Sequence, residues 1–311
     1  MRPGILHHSR YLYHHGMVLS GISFWGRTLR CVLEDVEKAV KGQRGLLLNG
    51  RSVHDPFVYL KQSCKMRPMC SSSAVSKGIA AIVGVGPRLG RSIARKFAHE
   101  GYTVAILSRD LGKLSGYAEE IAREAMAQVF AIRIDCASTQ SVREAFEGVL
   151  SLGYVEVLVY NACAPTSINP SRFSDVSVDS FQTALAVSAV GAFQCSQLVM
   201  PGMVERGKGT IIFTGSSASL NASAGFYQLS CAKFALRGLA QCLAKEYQAF
   251  GVHVAHVIID ADGLTGTSRT SKENQVQNGM DPDAIAQTYW HLHIQDKRAW
   301  THEIDIRPAA S

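Results

Sequence analysis

The chain has 311 residues, of which 47% are hydrophobic and 18% are charged, the composition of a globular protein with a large core. Its formal net charge of +7 comes from residues 1–76, which hold 11 basic and 4 acidic side chains, whereas residues 77–311 hold 21 of each. Because the body of the chain has no net charge, we expect no nucleic-acid partner. No apolar run approaches the ~20 residues of a spanning helix, so we expect no membrane span.

Residues 1–76 lack the periodic pattern of the rest and are predicted to form a poorly structured basic extension. Two interpretations stay open. The segment is Arg-rich and acid-poor, as in a transit peptide for a mitochondrion or plastid. Alternatively it is a disordered extension of a cytoplasmic protein, which is the interpretation we favour.

The eight cysteines form neither a CxxC pair nor a cluster with histidine at metal-ligand spacing. In a chain this long and apolar they are predicted to be reduced thiols of an intracellular protein, most of them buried. The sequence therefore predicts no metal site.

The stretch IAAIVGVGPRLGRS, from Ile79 to Ser92, predicts a strand, a glycine turn and a helix. Its first five residues are apolar without a period, as in a strand buried on both faces of a parallel sheet, and helical spacing follows the turn. Such a turn lets a pyrophosphate approach the backbone and meet the N–H groups of the new helix. The candidate contacts in the turn are Gly84, Gly86, Arg88, Leu89 and Gly90.

Strand and helix patterns alternate from Lys77 onward, which predicts a doubly wound parallel α/β sheet, a Rossmann-type single domain over residues 77–311. The predicted strands are 79–83, 102–107, 128–134, 155–160, 210–213, 252–259 and 302–306. The predicted helices are 91–98, 111–126, 141–150, 178–203, 226–250 and 282–293. Right-handed crossovers place the carboxyl ends of the strands, and any ligand, along one edge.

Three segments carry a resemblance to a known family. The glycine turn has Arg88 where a middle glycine is usual, and VYNACA, from Val159 to Ala164, is similar to an NNAG segment with Tyr160 in place of its first Asn. The run KFALRGLAQCLAKEY, which begins at Lys233, is similar to a lysine-bearing helix. Over about residues 78–308 the chain thus resembles the short-chain dehydrogenase/reductase family. The resemblance implies hydride transfer between a nicotinamide cofactor and a carbonyl or alcohol.

The end of the second predicted strand, where Ser108, Arg109 and Asp110 follow one another, bears on cofactor preference. A carboxylate there binds the ribose diol of NAD, whereas a guanidinium makes bidentate bonds to a 2′-phosphate. Arg109 lies where similar NADP-preferring members carry a basic residue, and Arg88 adds a second positive charge. We therefore expect NADP(H) to be preferred over NAD(H), unless Arg109 pairs with Asp110.

The resemblance implies three further cofactor contacts. Asp135 matches the acidic residue that accepts from the adenine amino group, although an exposed loop aspartate is an alternative. Asn161 matches the second Asn of NNAG. Thr265 replaces a threonine near the nicotinamide, in a segment where Asp260 and Asp262 stand in place of Pro-Gly. Two carboxylates near phosphates are unfavourable unless they are turned away or paired.

The family moves a proton with a tyrosine, assisted by a lysine and a serine. Ser216 falls at the serine position, with Ser217 and Ser219 as near neighbours, and Lys233 is the lysine. The residue four places before Lys233, where the family has its tyrosine, is Leu229.

Tyr227 is the nearby phenol, six residues before Lys233. On one helix that spacing separates the two side chains by about 120°, whereas the spacings of four and seven used in the family return to one face. Tyr227 can act as an atypical proton donor only if the helix begins after it; otherwise it packs at the helix start. Ser188 aligns with an Asn that holds a water in the family's proton relay.

We predict an NADP(H)-dependent oxidoreductase with an atypical proton donor, acting on a small-molecule carbonyl or alcohol. The alternatives are a non-catalytic NADP(H)-binding pseudoenzyme and an enoyl thioester reductase in which Ser216, Tyr227 or a water supplies the proton. The resemblance implies a homo-dimer or homo-tetramer formed through the long central helix and the Lys233 helix. Residues 261–295 are predicted to supply the substrate wall.

Overall fold

The structure, a computed structural model, describes residues 77–165, 169–259 and 280–308. The predicted basic extension over 1–76 lies outside the described residues, as do Asp260, Asp262, Thr265 and much of the predicted substrate wall.

One parallel sheet of seven strands forms the centre of the described domain. The strands are β1 (Ile79–Val83), β2 (Thr103–Ser108), β3 (Val129–Arg133), β4 (Val155–Tyr160), β5 (Gly209–Thr214), β6 (Val252–Ile259) and β7 (Glu303–Ile306). The α-helices are α1 (Leu89–His99), α2 (Leu111–Ala125), α3 (Thr139–Ser151), α4 (Val178–Leu185), α5 (Gly191–Arg206), α6 (Tyr227–Tyr247) and α7 (Pro282–His293).

The strand order is β3-β2-β1-β4-β5-β6-β7, and every neighbouring pair is parallel. The order reverses between β1 and β4, so the connections that leave their carboxyl ends diverge and open a crevice there. The predicted doubly wound parallel sheet is confirmed.

Two apolar layers cover the sheet, one on each face. On one face α3, α5 and α6 pack over the sheet with side chains such as Phe146, and on the other α1, α2 and α7 pack with side chains such as Phe97. The strands β1, β4, β5 and β6 are buried along their whole length, which is why their sequences are mainly apolar, with buried polar residues such as Glu156 and His256 as exceptions. Each large apolar side chain buried in these layers contributes about 1.5–3 kcal/mol.

The predicted central helix is divided. A π-helical turn over Ala186–Val190 separates α4 from α5, and turns of this kind occur frequently at functional sites. By length and composition Val178–Arg206, of 29 residues, is the one stretch of the described residues able to cross a membrane, since an 18-residue window within it has a mean hydropathy of 1.4. Core contacts of buried side chains such as Cys195 and Val199 account equally for that composition. The absence of a membrane span therefore stays a prediction.

Candidate dinucleotide and substrate cleft

The glycine turn after β1 is fixed by hydrogen bonds and close packing at Gly84. Gly84 has a φ of +89°, and its N–H donates to the Leu107 carbonyl at 2.8 Å. Its own carbonyl accepts from Asn161 Nδ2 at 2.8 Å. A Cβ at Gly84 would collide with the backbone of Ala162, so this position requires glycine both for its conformation and for its space. Asn161, the residue directly after the neighbouring strand β4, therefore fixes the turn.

The same turn is closely packed at Gly90 but open to the cleft at Gly86. A Cβ at Gly90 would lie 2.8 Å from Val85 Cα, whereas a Cβ at Gly86 would meet nothing within 4 Å. Helix α1 begins at Leu89, and Arg88 at its N-cap makes no side-chain hydrogen bond to the first turn. The first N–H groups of α1 are thus left without a side-chain cap from Arg88, which fits an anion at this helix start.

Two adjoining cavities form one cleft along the carboxyl ends of the strands. The β2 cavity, of about 310 Å³, is lined by Ser108, Arg109 and Asp135 among others. The β5 cavity, of about 440 Å³, is lined by Arg88, Leu89, Ser216, Leu229 and Lys233 among others. Gly84, Gly86, Asn161 and Cys163 line both cavities. The turn therefore lies where the two halves of an extended ligand would meet.

Arg109 stands at the exposed rim of the β2 cavity. Asp110, its predicted competitor, caps α2 by accepting from the Lys113 N–H at 3.2 Å and pairs with Lys113 Nζ at 3.3 Å. The Lys113 N–H lowers the pKa of Asp110 below its usual value. Among the described residues, then, Asp110 is paired with Lys113 and not with Arg109.

Asp135 lines the β2 cavity from the loop after β3. Its Oδ1 accepts from the Ala137 N–H at 3.0 Å, and its own N–H donates to Ser141 Oγ at 2.9 Å. These bonds hold the loop in place, and the carboxylate keeps unused acceptor positions toward the cavity.

Ser216, Leu229 and Lys233 are brought together at the β5 cavity. Lys233 is only 4% exposed, and its Nζ donates to the Thr214 carbonyl at 2.8 Å. Ser216 Oγ is buried without a hydrogen-bond partner in the described part of the chain. An unpaired buried hydroxyl costs about 1–3 kcal/mol, so a ligand oxygen at this place would be stabilised by it. Leu229 lies one turn before Lys233, as the spacing of four predicts.

The structure does not bring Tyr227 to this group. Tyr227 is the first residue of α6 and lines neither cavity, and its ring packs edge-on against Phe173 with a centroid distance of 5.4 Å. The condition that the sequence sets for Tyr227, a helix that begins after it, is not met.

Ser188 lies in the π-helical turn and is buried. Its Oγ donates weakly to Cys163 Sγ at 3.9 Å, and Cys163 lines both cavities. Ser188 thus lines neither cavity, and it contacts the cleft only indirectly, through its bond to Cys163.

Sequence reasoning missed the role of Tyr160, which replaces the first Asn of the NNAG-like segment. Its buried hydroxyl donates to the Val187 carbonyl in the π-helical turn, and burial raises its pKa well above the usual value. A Cβ at Gly191 would lie 2.5 Å from Tyr160 Oη, so the helix makes room for the phenol with a glycine. The pair of Tyr160 and Gly191, 31 residues apart, carries no local signal that would have revealed this contact.

Within the described ranges, no group of three or more His, Cys, Asp or Glu side chains is placed to hold a metal ion. The residues of the cleft do fit a dinucleotide. The bare turn accommodates a diphosphate, and Ser216 supplies an unpaired hydroxyl at the far end.

Comparison with known proteins agrees with this geometry. The family described as short chain dehydrogenase matches residues 78–278, and the chain belongs to that family of oxidoreductases, with its NAD(P)-binding Rossmann fold. An uncharacterized oxidoreductase of Staphylococcus aureus (strain N315) is 25% identical over 232 residues, which are 74% of this chain and 96% of that protein. The 3-ketodihydrosphingosine reductase of Bos taurus is 29% identical over 204 residues, 63% of this chain and 59% of that protein.

Solved structures give the same result. A short-chain dehydrogenase from Rhodopseudomonas palustris is 31% identical, with a TM-score of 0.65 that covers 74% of this chain and 98% of that one. A metagenomic short-chain oxidoreductase solved in complex with NADP has a TM-score of 0.65 over 75% of this chain and 98% of that one. At 23% identity it is similar in fold alone.

Proposed function

We propose that this protein binds NADP(H) along the cleft and transfers a hydride between the nicotinamide and a carbonyl or alcohol, with a proton donor other than the family's tyrosine. The observation that carries the proposal is the β5 cavity, where Ser216 Oγ is buried and unpaired beside Lys233. When bound, the dinucleotide supplies or accepts the hydride.

The preference for NADP(H) is supported by the charges at the cleft. Arg109 at the rim of the β2 cavity is not paired with Asp110, and Arg88 lies at the start of α1. A guanidinium makes strong, charge-assisted bonds to a phosphate, which a ribose diol does not offer. Asp135 and Asn161 are proposed to hold the adenine and the turn, as the resemblance implies.

The proton is proposed to reach the substrate oxygen through Ser216. The Leu229 side chain has no O–H or N–H group that could donate a proton, and Tyr227 lines neither cavity. The Ser216 hydroxyl, in contrast, has its hydrogen-bonding capacity unused. Lys233 uses one of its N–H groups on the Thr214 carbonyl and keeps two for a ribose or a water. A water held beside Ser216 and Lys233 would then return a proton to the Ser216 oxygen and itself take up a proton from solvent.

One observation favours a second function, that of a non-catalytic NADP(H)-binding protein. Leu229 fills the position that the family gives to its proton donor, and Lys233 then serves only to bind the cofactor. In this alternative the cleft still binds NADP(H), but no hydride or proton is transferred.

Purified protein incubated with NADPH and a panel of acceptors separates the two functions. The panel holds small ketones, a long-chain 3-keto compound like the one named for the bovine relative, and enoyl thioesters. We expect NADPH consumption with at least one ketone. Tight NADPH binding with no consumption by any acceptor would favour the non-catalytic alternative. Consumption with enoyl thioesters alone would assign the activity to carbon–carbon double bonds.

A further inference from the structure

Glu303, on the edge strand β7, connects three elements behind the β5 cavity. Its two carboxylate oxygens accept from Arg237 Nε and Nη2, both at 2.7 Å, and one of them also accepts from His256 Nδ1 at 3.1 Å. Arg237 lies on α6 one turn after Lys233, and His256 lies on β6. One carboxylate thus fixes α6 against β6 and β7 with a bidentate, charge-assisted pair.

The ring of His256 packs directly against the residue that precedes Ser216. Because a carboxylate only accepts, Nδ1 carries the hydrogen toward Glu303, and Nε2 is left as a buried acceptor without a partner in the described part of the chain. A Cβ at Gly215 would collide with that Nε2 atom. Burial lowers the pKa of His256, so the ring is neutral near pH 7. The position of Gly215 therefore depends on the orientation of this ring.

Arg237 reaches the other end of the same loop. The Gly215 N–H donates to the Val257 carbonyl at 2.7 Å, and the Ser216 carbonyl accepts from Ser219 Oγ at 2.6 Å. The Arg237 Nη1 group lies 3.5 Å from the Ser219 carbonyl and donates to it. Both ends of the 215–219 loop are thus contacted by groups that Glu303 orients.

We propose that Glu303 is a positioning residue for the β5 cavity. By holding Arg237 and His256 it fixes the 215–219 loop and the Lys233 face of α6, so that Ser216 and Lys233 point into one cavity. The proposal rests on the proposed function only where it takes that cavity to be the nicotinamide end of the cleft.

Amide hydrogen exchange without any cofactor tests the positioning directly. Glu303→Gln keeps the size of the side chain but loses its charge, and we expect exchange in residues 215–219 to accelerate about 10-fold or more. The matched control is Glu120→Gln, which breaks the Arg91–Glu120 pair. The side chains of that pair are 28% and 31% exposed, nearly the same as the 28% and 32% of Arg237 and Glu303. Equal exchange in 215–219 for the unmodified protein and Glu303→Gln would overturn the proposal.

A comparison of two ligand affinities separates a positioning role at the β5 cavity from a general loss of stability. We expect Glu303→Gln to weaken NADPH about 10-fold while 2′,5′-ADP, the half of the cofactor assigned to the β2 cavity, binds as before. Arg237→Lys, which keeps the charge but loses the bidentate bond, should give a smaller change of the same kind and serves if Glu303→Gln does not fold. Equal weakening of both ligands contradicts the positioning role. Failure of the unmodified protein to bind either ligand contradicts the proposed function instead, and the exchange result then decides on Glu303 by itself.

Discussion

The Arg109 guanidinium is the group on which the dinucleotide preference is proposed to depend. Arg109→Ala removes a charge-assisted contact of ~1.5–3 kcal/mol, so we expect NADPH affinity to fall about 10- to 150-fold. NADH affinity should stay nearly unchanged, because the ribose diol gains nothing from the guanidinium. Titration of both cofactors measures the effect, and equal dissociation constants in the unmodified protein would remove the assignment. Arg123→Ala is the matched control, since that basic side chain is exposed in the last turn of α2 and lines neither cavity.

Residue spacing predicted part of the candidate site. The four-residue interval between Leu229 and Lys233 requires one helix face, and the structure has both at the β5 cavity with Ser216. Placing Tyr227 required the start of α6, and helix ends are what sequence patterns define least well. The partners of His256 and Glu303 were missed because they join β6 to β7 and α6 across the sheet, with no local pattern.

At the level of elements, the bounds of β1, β4 and β6 agree with prediction residue for residue. Their apolar runs stop at glycine or polar residues, so both the element and its ends have a local cause. The division of the central helix had no such signal. Its π-helical turn is accompanied by the Tyr160 hydroxyl, which bonds the Val187 carbonyl from a strand distant in sequence.

That contact yields a prediction for the central helix. Gly191→Ala places a methyl group against Tyr160 Oη, and we expect a loss of about 1–3 kcal/mol in the free energy of unfolding. Tyr160→Phe removes one of the two oxygens that this methyl group would meet, the other being the Cys136 carbonyl, so the double variant should be more stable than the sum of the two single changes indicates. Chemical denaturation of the four proteins measures the coupling, and strict additivity would contradict a direct contact. Gly202→Ala is the control, because a Cβ there meets nothing within 4 Å.

For the molecule as a whole, a buried network at the amino ends of the strands links stability to pH. Burial alone raises the pKa of Glu156, but Lys208, the Gly78 N–H and the Tyr154 hydroxyl outweigh it and lower that pKa to about 2. Burial lowers the pKa of His293, 3.9 Å from Glu156, to about 4.

Both shifts destabilise the fold in acid. The His293 contribution is complete above pH 6.5 and is lost as the pH falls toward 4, because the unfolded chain binds the proton first. The Glu156 contribution is complete above pH 4.5 and is lost as the pH falls toward 2. From His293 we expect a loss of about 3 kcal/mol between pH 7 and 4, measured by urea unfolding. Burial also lowers the pKa of His253 and His256, which adds to the loss in the same direction, so His293→Gln should give a flatter profile that still slopes. A flat profile of the unmodified protein over that range would show that His293 does not stay neutral when it is buried in the fold.

Association is also a property of the whole molecule, and we propose that copies meet through α4, α5 and α6. Phe193 on α5 is 45% exposed, and Phe234 on α6 is 42% exposed. We expect Phe193→Glu to shift the mass in solution to that of a monomer, because a charge would be buried in the contact. Phe250→Glu, at a side chain that is 51% exposed beyond the end of α6, should leave the assembly intact. A monomeric unmodified protein at micromolar concentration would exclude this arrangement.

We propose that this member of the family protonates its substrate without the tyrosine, and the steady-state turnover of two variants tests this proposal. With an accepted ketone and NADPH, we predict that Ser216→Ala lowers kcat about 10²–10³-fold while the NADPH dissociation constant is unchanged, because only a contact to the reacting oxygen is lost. Tyr227→Phe should keep the kcat of the unmodified protein. The contrary result is turnover that is abolished in Tyr227→Phe and retained in Ser216→Ala, with NADPH binding intact in both variants. It would identify Tyr227 as the proton donor and contradict the role given to Ser216.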